Sequence, residues 1–131
     1  MNTPKSDYML IFRGTHWDDG LSPEEALKTV ADFMAWFESL RAQGKAIVGS
    51  PLTNEGKIVS GKNKTVADGP FAESKEAIGG YFLLQVADMD EAVEIAKGCP
   101  ALAYGLKVEV RQIADQCAMK QRLDQQVAAA V

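Results

Sequence analysis

Tyr8-Met9-Leu10-Ile11-Phe12 is a nearly unbroken apolar run with polar residues on both sides, and it reads as a strand in the middle of a sheet. After a loop comes Ser22-Pro23-Glu24-Glu25, a strong helix start. Ser22 suits the N-cap, Pro23 the first helical position, and Glu25 can complete a capping box. Ala26, Leu27, Val30, Phe33, Met34, Phe37 and Leu40 then recur at steps of three and four, and Gly44 stops the helix. Ala46-Ile47-Val48-Gly49 follows as a second strand. The same pattern returns downstream. Tyr81-Phe82-Leu83-Leu84-Gln85-Val86 has the aromatic and branched composition of a strand. Asp88-Met89-Asp90-Glu91 offers a second capping box, with Met89, Ala92, Val93 and Ala96 on one helical face. Leu106 to Ile113 alternates apolar and polar residues as a half-covered strand does.

Two β-α-β units around one antiparallel sheet define an α+β class and a ferredoxin-like plan, with both helices on one sheet face. Between them, Lys57-Ile58-Val59-Ser60 and Lys64-Thr65-Val66-Ala67 around Gly61-Lys62-Asn63 predict an extra, exposed β-hairpin. Met119, Leu123, Val127 and Val131 at four-residue steps predict a C-terminal helix. The chain divides on this reading into a domain over residues 1–113 and a helical tail over 114–131. Two helices cover only one face of a sheet whose strands are apolar on both, so a homodimer with facing sheets is expected. Trp36, at the edge of the first helix's stripe, suits either that second subunit or the rim of its own core.

With 131 residues, 47% of them hydrophobic and 24% charged, the chain has the make-up of one globular domain rather than a disordered or fibrous chain. A formal net charge of −4 argues against direct binding of nucleic acid. A single His and two Cys without CxxC or HExxH spacing leave no expected metal site. The two thiols read as reduced. Met1 to Asp7 carries no apolar segment and no run is long enough for a membrane helix, so a cytoplasmic chain with no membrane partner is expected. Gly-x-Gly-x-x-Gly, Walker and Gly-x-Ser-x-Gly motifs are absent, and no cofactor is implied.

Chemistry-bearing residues gather in two segments. The loop after the first strand holds His16, the only side chain whose ordinary pKa lies near neutrality, and Trp17, a candidate stacking wall for a planar ligand. The turn Asp68-Gly69-Pro70-Phe71 is stiffened by Gly69 and Pro70 and anchored by Phe71, which gives Asp68 a defined direction. Asp68 then either caps its own turn or works with His16 as a catalytic pair. A lone loop His is more often a surface residue, which is the other reading of His16. Glu73 is a candidate ligand contact or part of a solvated face. A cleft where these two segments meet, with Tyr81 near its floor, is the expected site for a small molecule.

The run Val66-Ala67-Asp68-Gly69-Pro70-Phe71-Ala72-Glu73-Ser74-Lys75-Glu76, followed by Gly79-Gly80-Tyr81-Phe82, resembles the signature segment of the YCII-related superfamily in its DGPF branch. The resemblance extends over residues 8 to about 113, through Asp90-Glu91-Ala92, Gly98-Cys99-Pro100 and Val108-Glu109-Val110-Arg111. It implies a dimeric α/β barrel of ferredoxin-like subunits and a regulatory context with a sigma factor as a possible partner. A His and Asp dyad proposed for some relatives does not carry over, because no His lies between Ser22 and Gly44. The expected function is small-molecule binding. A cofactor-independent proton-transfer enzyme (isomerase, lyase or dehalogenase) acting on a small cyclic compound, and a protein-interaction module docking through residues 57 to 67, are the alternatives.

Overall fold

A computed structural model describes residues 5–69 and 77–130 of the chain. Pro70, Phe71 and Glu73 lie outside these described residues. In chain order the elements are β1 (Ser6–Arg13), α1 (Pro23–Ala42), β2 (Ala46–Pro51), β3 (Lys57–Ser60), β4 (Thr65–Asp68), β5 (Ile78–Val86), α2 (Met89–Ala96), β6 (Lys107–Gln112) and α3 (Ala118–Ala129). A 3-10 turn at Leu102–Tyr104 precedes β6.

The main sheet has the order β2-β5-β1-β6, every neighbour antiparallel, with β3 and β4 forming a separate hairpin. Leaving the hairpin aside, the strands come second, third, first, fourth, which is the ferredoxin-like order expected from two β-α-β units. The pleat sorts the strands. Tyr8, Leu10 and Phe12 of β1 and Phe82, Leu84 and Val86 of β5 are buried under the helices, joined by Val108 and Val110 of β6. Met9, Ile11, Tyr81 and Leu83 occupy the opposite face and are only half-buried.

Helix α1 begins as the sequence requires. The Ser22 side chain accepts from the Glu25 N–H, and the Glu25 carboxylate accepts from the Ser22 N–H. At α2 the box is altered: Asp88 accepts from the Glu91 N–H, but Glu91 reaches back one residue further, to the Ala87 N–H at 2.8 Å. That bond, and secondarily Lys45, hold the Glu91 carboxyl below its ordinary range.

Helix α1 is rotated relative to the simplest reading of its apolar stripe. Its buried side runs through Thr29, Phe33, Trp36, Phe37 and Leu40, whereas Leu27, Val30 and Met34 are exposed. Thr29 tolerates burial because its hydroxyl donates to the Glu25 carbonyl at 3.0 Å. Trp36 belongs to its own core, with ring centroids 6.1 Å from Phe12 and 5.1 Å from Phe82. Every residue of α3 is exposed.

Candidate functional site

Where β1 ends, three segments are tied together by backbone hydrogen bonds. Gly14 N–H donates to the Ala77 carbonyl at 2.9 Å, and Leu52 N–H donates to the Gly79 carbonyl at 2.8 Å. These bonds hold the β1–α1 loop, the end of β2 and the start of β5 around a cavity of about 540 Å³ lying between α1 and the sheet. That is the size range of small-molecule sites rather than of packing voids.

The cavity is aromatic on its sides and backbone-like on its floor. Phe12, Phe33, Phe37 and Phe82 supply rings from two strands and one helix, and Trp17 supplies a fifth from the loop. Phe82 sits at the middle of the cluster, with centroids 4.8 Å from both Phe12 and Phe37. Gly49, Gly79 and Gly80 form the floor, and at Gly49 and Gly80 a side chain would not fit. A Cβ on Gly80 would lie 2.8 Å from the Ser50 carbonyl oxygen, and one on Gly49 would lie 2.5 Å from Phe82 Cδ1. Thr15, Ser50, Asn54 and Glu38 are the side chains of the lining that carry hydrogen-bonding groups apart from the Trp17 N–H, and Glu38 is the one carboxylate among the described lining residues. Among the described residues no buried side-chain nitrogen or oxygen lacks a partner. The cavity wall is therefore apolar and aromatic, with polar groups at the margin.

Of the residues singled out in the sequence, Trp17 lines this cavity. Its indole stacks on Tyr104 of the 3-10 turn, centroids 6.3 Å apart and planes 24° apart, so one face is held while the cavity side stays available. His16 is next to it in sequence but turned to its own loop, Nδ1 lying 3.4 Å from the Asp19 carboxylate, with its side chain 46% exposed. Asp68 stands at the end of the exposed hairpin and pairs with Lys57 across the strands. Its carboxylate thus meets a neighbouring strand's ammonium, while Pro70 and Phe71 of its own turn lie outside the described residues. Tyr81 is placed on the other side of the sheet, because successive residues of β5 alternate and Phe82 points to the cavity. The expected cleft between the His16 loop and the Asp68 turn draws on Pro70, Phe71 and Glu73, outside the described residues; the cavity that the described residues form lies under α1, with Phe82 and glycines in its lining and Tyr81 outside it. Gly69 lies at φ +154°, within the region favouring glycine. Among the described residues no three His, Cys, Asp or Glu side chains are grouped so as to hold a metal ion.

The sheet's opposite face carries a second polar cluster at its β6 side. Arg13 Nε donates to Glu109 at 2.7 Å, and Arg111 reaches the other Glu109 oxygen at 3.2 Å. The Arg13 bond first, and then the Arg111 bond, hold the Glu109 carboxyl below its usual range.

The family model for the YCII-related domain matches residues 8–115. The chain belongs to the YCII-related family. The match takes in β1 from Tyr8 onward, the other five strands, α1 and α2, and leaves α3 outside. A curated relative, the uncharacterised protein R00369 of Rhizobium meliloti strain 1021, is 50% identical over 32 residues, 24% of this chain and 26% of that protein's length. The match therefore spans about a quarter of that relative. A similar solved structure is that of 5-chloro-2-hydroxyhydroquinone dehydrochlorinase from Burkholderia phenoliruptrix AC1100, in complex with 2,5-dihydroxybenzoquinone. It is 19% identical, with a TM-score of 0.47, over 83% of this chain and 95% of that one. Among the described residues no helix is long and apolar enough to cross a membrane.

Proposed function

We propose that this YCII-related chain binds a small, planar, mainly apolar ring compound in the cavity between α1 and the sheet. The observation that carries the reading is the lining itself: five aromatic rings around a glycine floor, with hydroxyl and amide groups at the margin and one carboxylate. Binding rather than catalysis is favoured, since the described lining is mainly apolar and aromatic, with Glu38 as its one carboxylate. The chain does this as a homodimer. Met9, Ile11, Leu83 and Val48 leave an apolar strip on the sheet face that no helix among the described residues covers, and a second copy of that face is its natural cover.

A ring compound burying about 150–250 Å² gains roughly 4–6 kcal/mol at about 25 cal/mol per Å², so dissociation constants from about 1 mM down to tens of micromolar are expected. The test is a panel of neutral one- and two-ring phenols and lactones screened by melting temperature and tryptophan fluorescence. At ten times the dissociation constant, mass action adds about 1.4 kcal/mol of stability. Leu52→Trp, which places bulk at a partly exposed lining position, should abolish the shift without lowering the melting temperature. Binding that survives Leu52→Trp and leaves Trp17 fluorescence untouched would move the site elsewhere. Sedimentation at micromolar concentration tests the dimer, and a 14.2 kDa species would refute it.

A further inference from the structure

Two apolar stripes on this chain have no cover among the described residues. On α1, Leu27 is 69% and Met34 66% exposed, with Val30 between them. On α3, Met119, Leu123 and Val127 are 61%, 45% and 68% exposed. Both stripes follow helical spacing and extend over two turns or so. A twelve-residue helix exposed on every side is marginal in water, since most helical stability in proteins comes from packing an amphipathic face.

We infer that in the homodimer α3 of each protomer packs across α1 of its partner, covering Leu27, Val30 and Met34 and adding an outer wall to the partner's cavity. The inference rests on the homodimer reading given above. Val30 and Met34 also line the cavity, so the partner's helix completes the mouth of the site.

Charge favours this pairing. Glu24, three residues before Leu27, and Glu38, four after Met34, lie on the same side of α1 as the stripe. Arg122, three residues after Met119, and Lys120, three before Leu123, flank the stripe of α3. The ion pairs these groups already make, Lys120 with Asp124 at 2.6 Å and Glu38 with Arg41 at 3.9 Å, are exposed and cost little to rearrange. Parallel pairing of α3 with a second α3 would oppose like charges, and in any direction it would leave the α1 stripe bare.

Reach favours the partner over the same chain. Ile113 N–H donates to the Asp7 carbonyl, which fixes the start of the tail at the end of the sheet where β1 begins. Helix α1 packs on β2, the edge strand farthest from β6 in the order β2-β5-β1-β6. The four residues from Ala114 to Cys117 extend at most about 14 Å, and α2, packed on β6, β5 and β1, stands in the way. A two-fold axis along the barrel instead sets the free β6 edge of one protomer beside the free β2 edge of the other, and β2 is the strand on which α1 packs.

The experiment uses full-length chains carrying Cys117→Ser, with Val30→Cys in one preparation and Leu123→Cys in the other. Each is first sedimented, and the two are then mixed, allowed to exchange subunits and oxidised. A covalent dimer that approaches half of the mixed chains, the statistical share of mixed dimers, and that forms in neither preparation alone is the expected result. A sedimenting dimer without that cross-link overturns the inference and leaves the homodimer standing. A covalent dimer of Leu123→Cys alone, or a disulfide within one chain of a third preparation carrying both Val30→Cys and Leu123→Cys, also overturns it. Sedimentation as a monomer removes the homodimer and this inference with it.

Discussion

Gly49→Ala tests the floor of the cavity with a single methyl group. Gly49 lies in β2 with no positive φ, so alanine meets no backbone strain there, and removing a glycine from the unfolded chain would on its own favour the variant by about 0.4–1 kcal/mol. Packing opposes this. The new Cβ would stand 2.5 Å from Phe82 Cδ1, 2.9 Å from Phe37 Cε2 and 3.0 Å from Phe82 Cε1. Phe82 cannot withdraw, because its ring is hemmed in by Phe12 at 4.8 Å, Trp36 at 5.1 Å and Phe33 at 5.7 Å between centroids. Phe37 can, but only by turning into the cavity that it lines. Overpacking of this kind costs about 1–3 kcal/mol. The net expectation is a loss of about 1–2 kcal/mol, or a melting temperature lower by roughly 4–8 °C for a chain of this size, together with weaker binding of ring compounds. Differential scanning calorimetry reads the first and fluorescence titration the second. In the Gly49→Ala, Phe82→Leu pair the two costs should be less than additive by about 1 kcal/mol, since each change relieves the other. A Gly49→Ala variant that melts at or above the parent, or a strictly additive pair, would refute the close approach.

Ser22→Ala removes the hydroxyl that accepts from the Glu25 N–H and should lower stability by about 1 kcal/mol in denaturant unfolding; Ser22→Asp should retain most of it. The Glu109 carboxyl is held below its ordinary range by Arg13 and then Arg111. A lowered folded-state pKa contributes stability that is complete above the unfolded value of about 4.3 and is lost as pH falls below it toward the folded value. Acid titration of the melting temperature should therefore show a shallower fall below about pH 4 in Glu109→Gln than in the parent. Thiol titration should find one cysteine reacting at once and the other only on unfolding. Cys117 is exposed, whereas burial keeps Cys99 out of reach and pushes its thiol up, outweighing the N–H groups of Ala101 and Leu102.

The topology was legible because every local signal agreed with it. The box at Ser22, the alternation along Leu106 to Ile113 and the Gly61 turn each name an element without reference to any other. The rotation of α1 was not legible, and the reason is specific. Apolar residues from Ala26 to Leu40 cover an arc wider than one helix face buries, so periodicity alone cannot choose between a seam through Leu27 and Met34 and one through Phe33 and Leu40. The choice falls to residues that look unpromising: Trp36 at the stripe's edge, and Thr29, whose hydroxyl is satisfied within its own helix. The candidate site followed the same logic. His16 and Asp68 attract notice because their side chains carry chemistry, yet one is engaged with Asp19 and the other with Lys57. Phe12, Phe33, Phe37 and Phe82 read as ordinary core, and Gly49, Gly79 and Gly80 as strand punctuation. A cavity between them appears only when the rotation of α1 is known. That rotation turns Phe33 and Phe37 toward the sheet and, by the same movement, leaves Leu27 and Met34 facing outward. The aromatic cavity and the uncovered stripe beside its mouth are therefore consequences of one packing choice, and a change that re-seats α1, such as Trp36→Ala, should disturb both together.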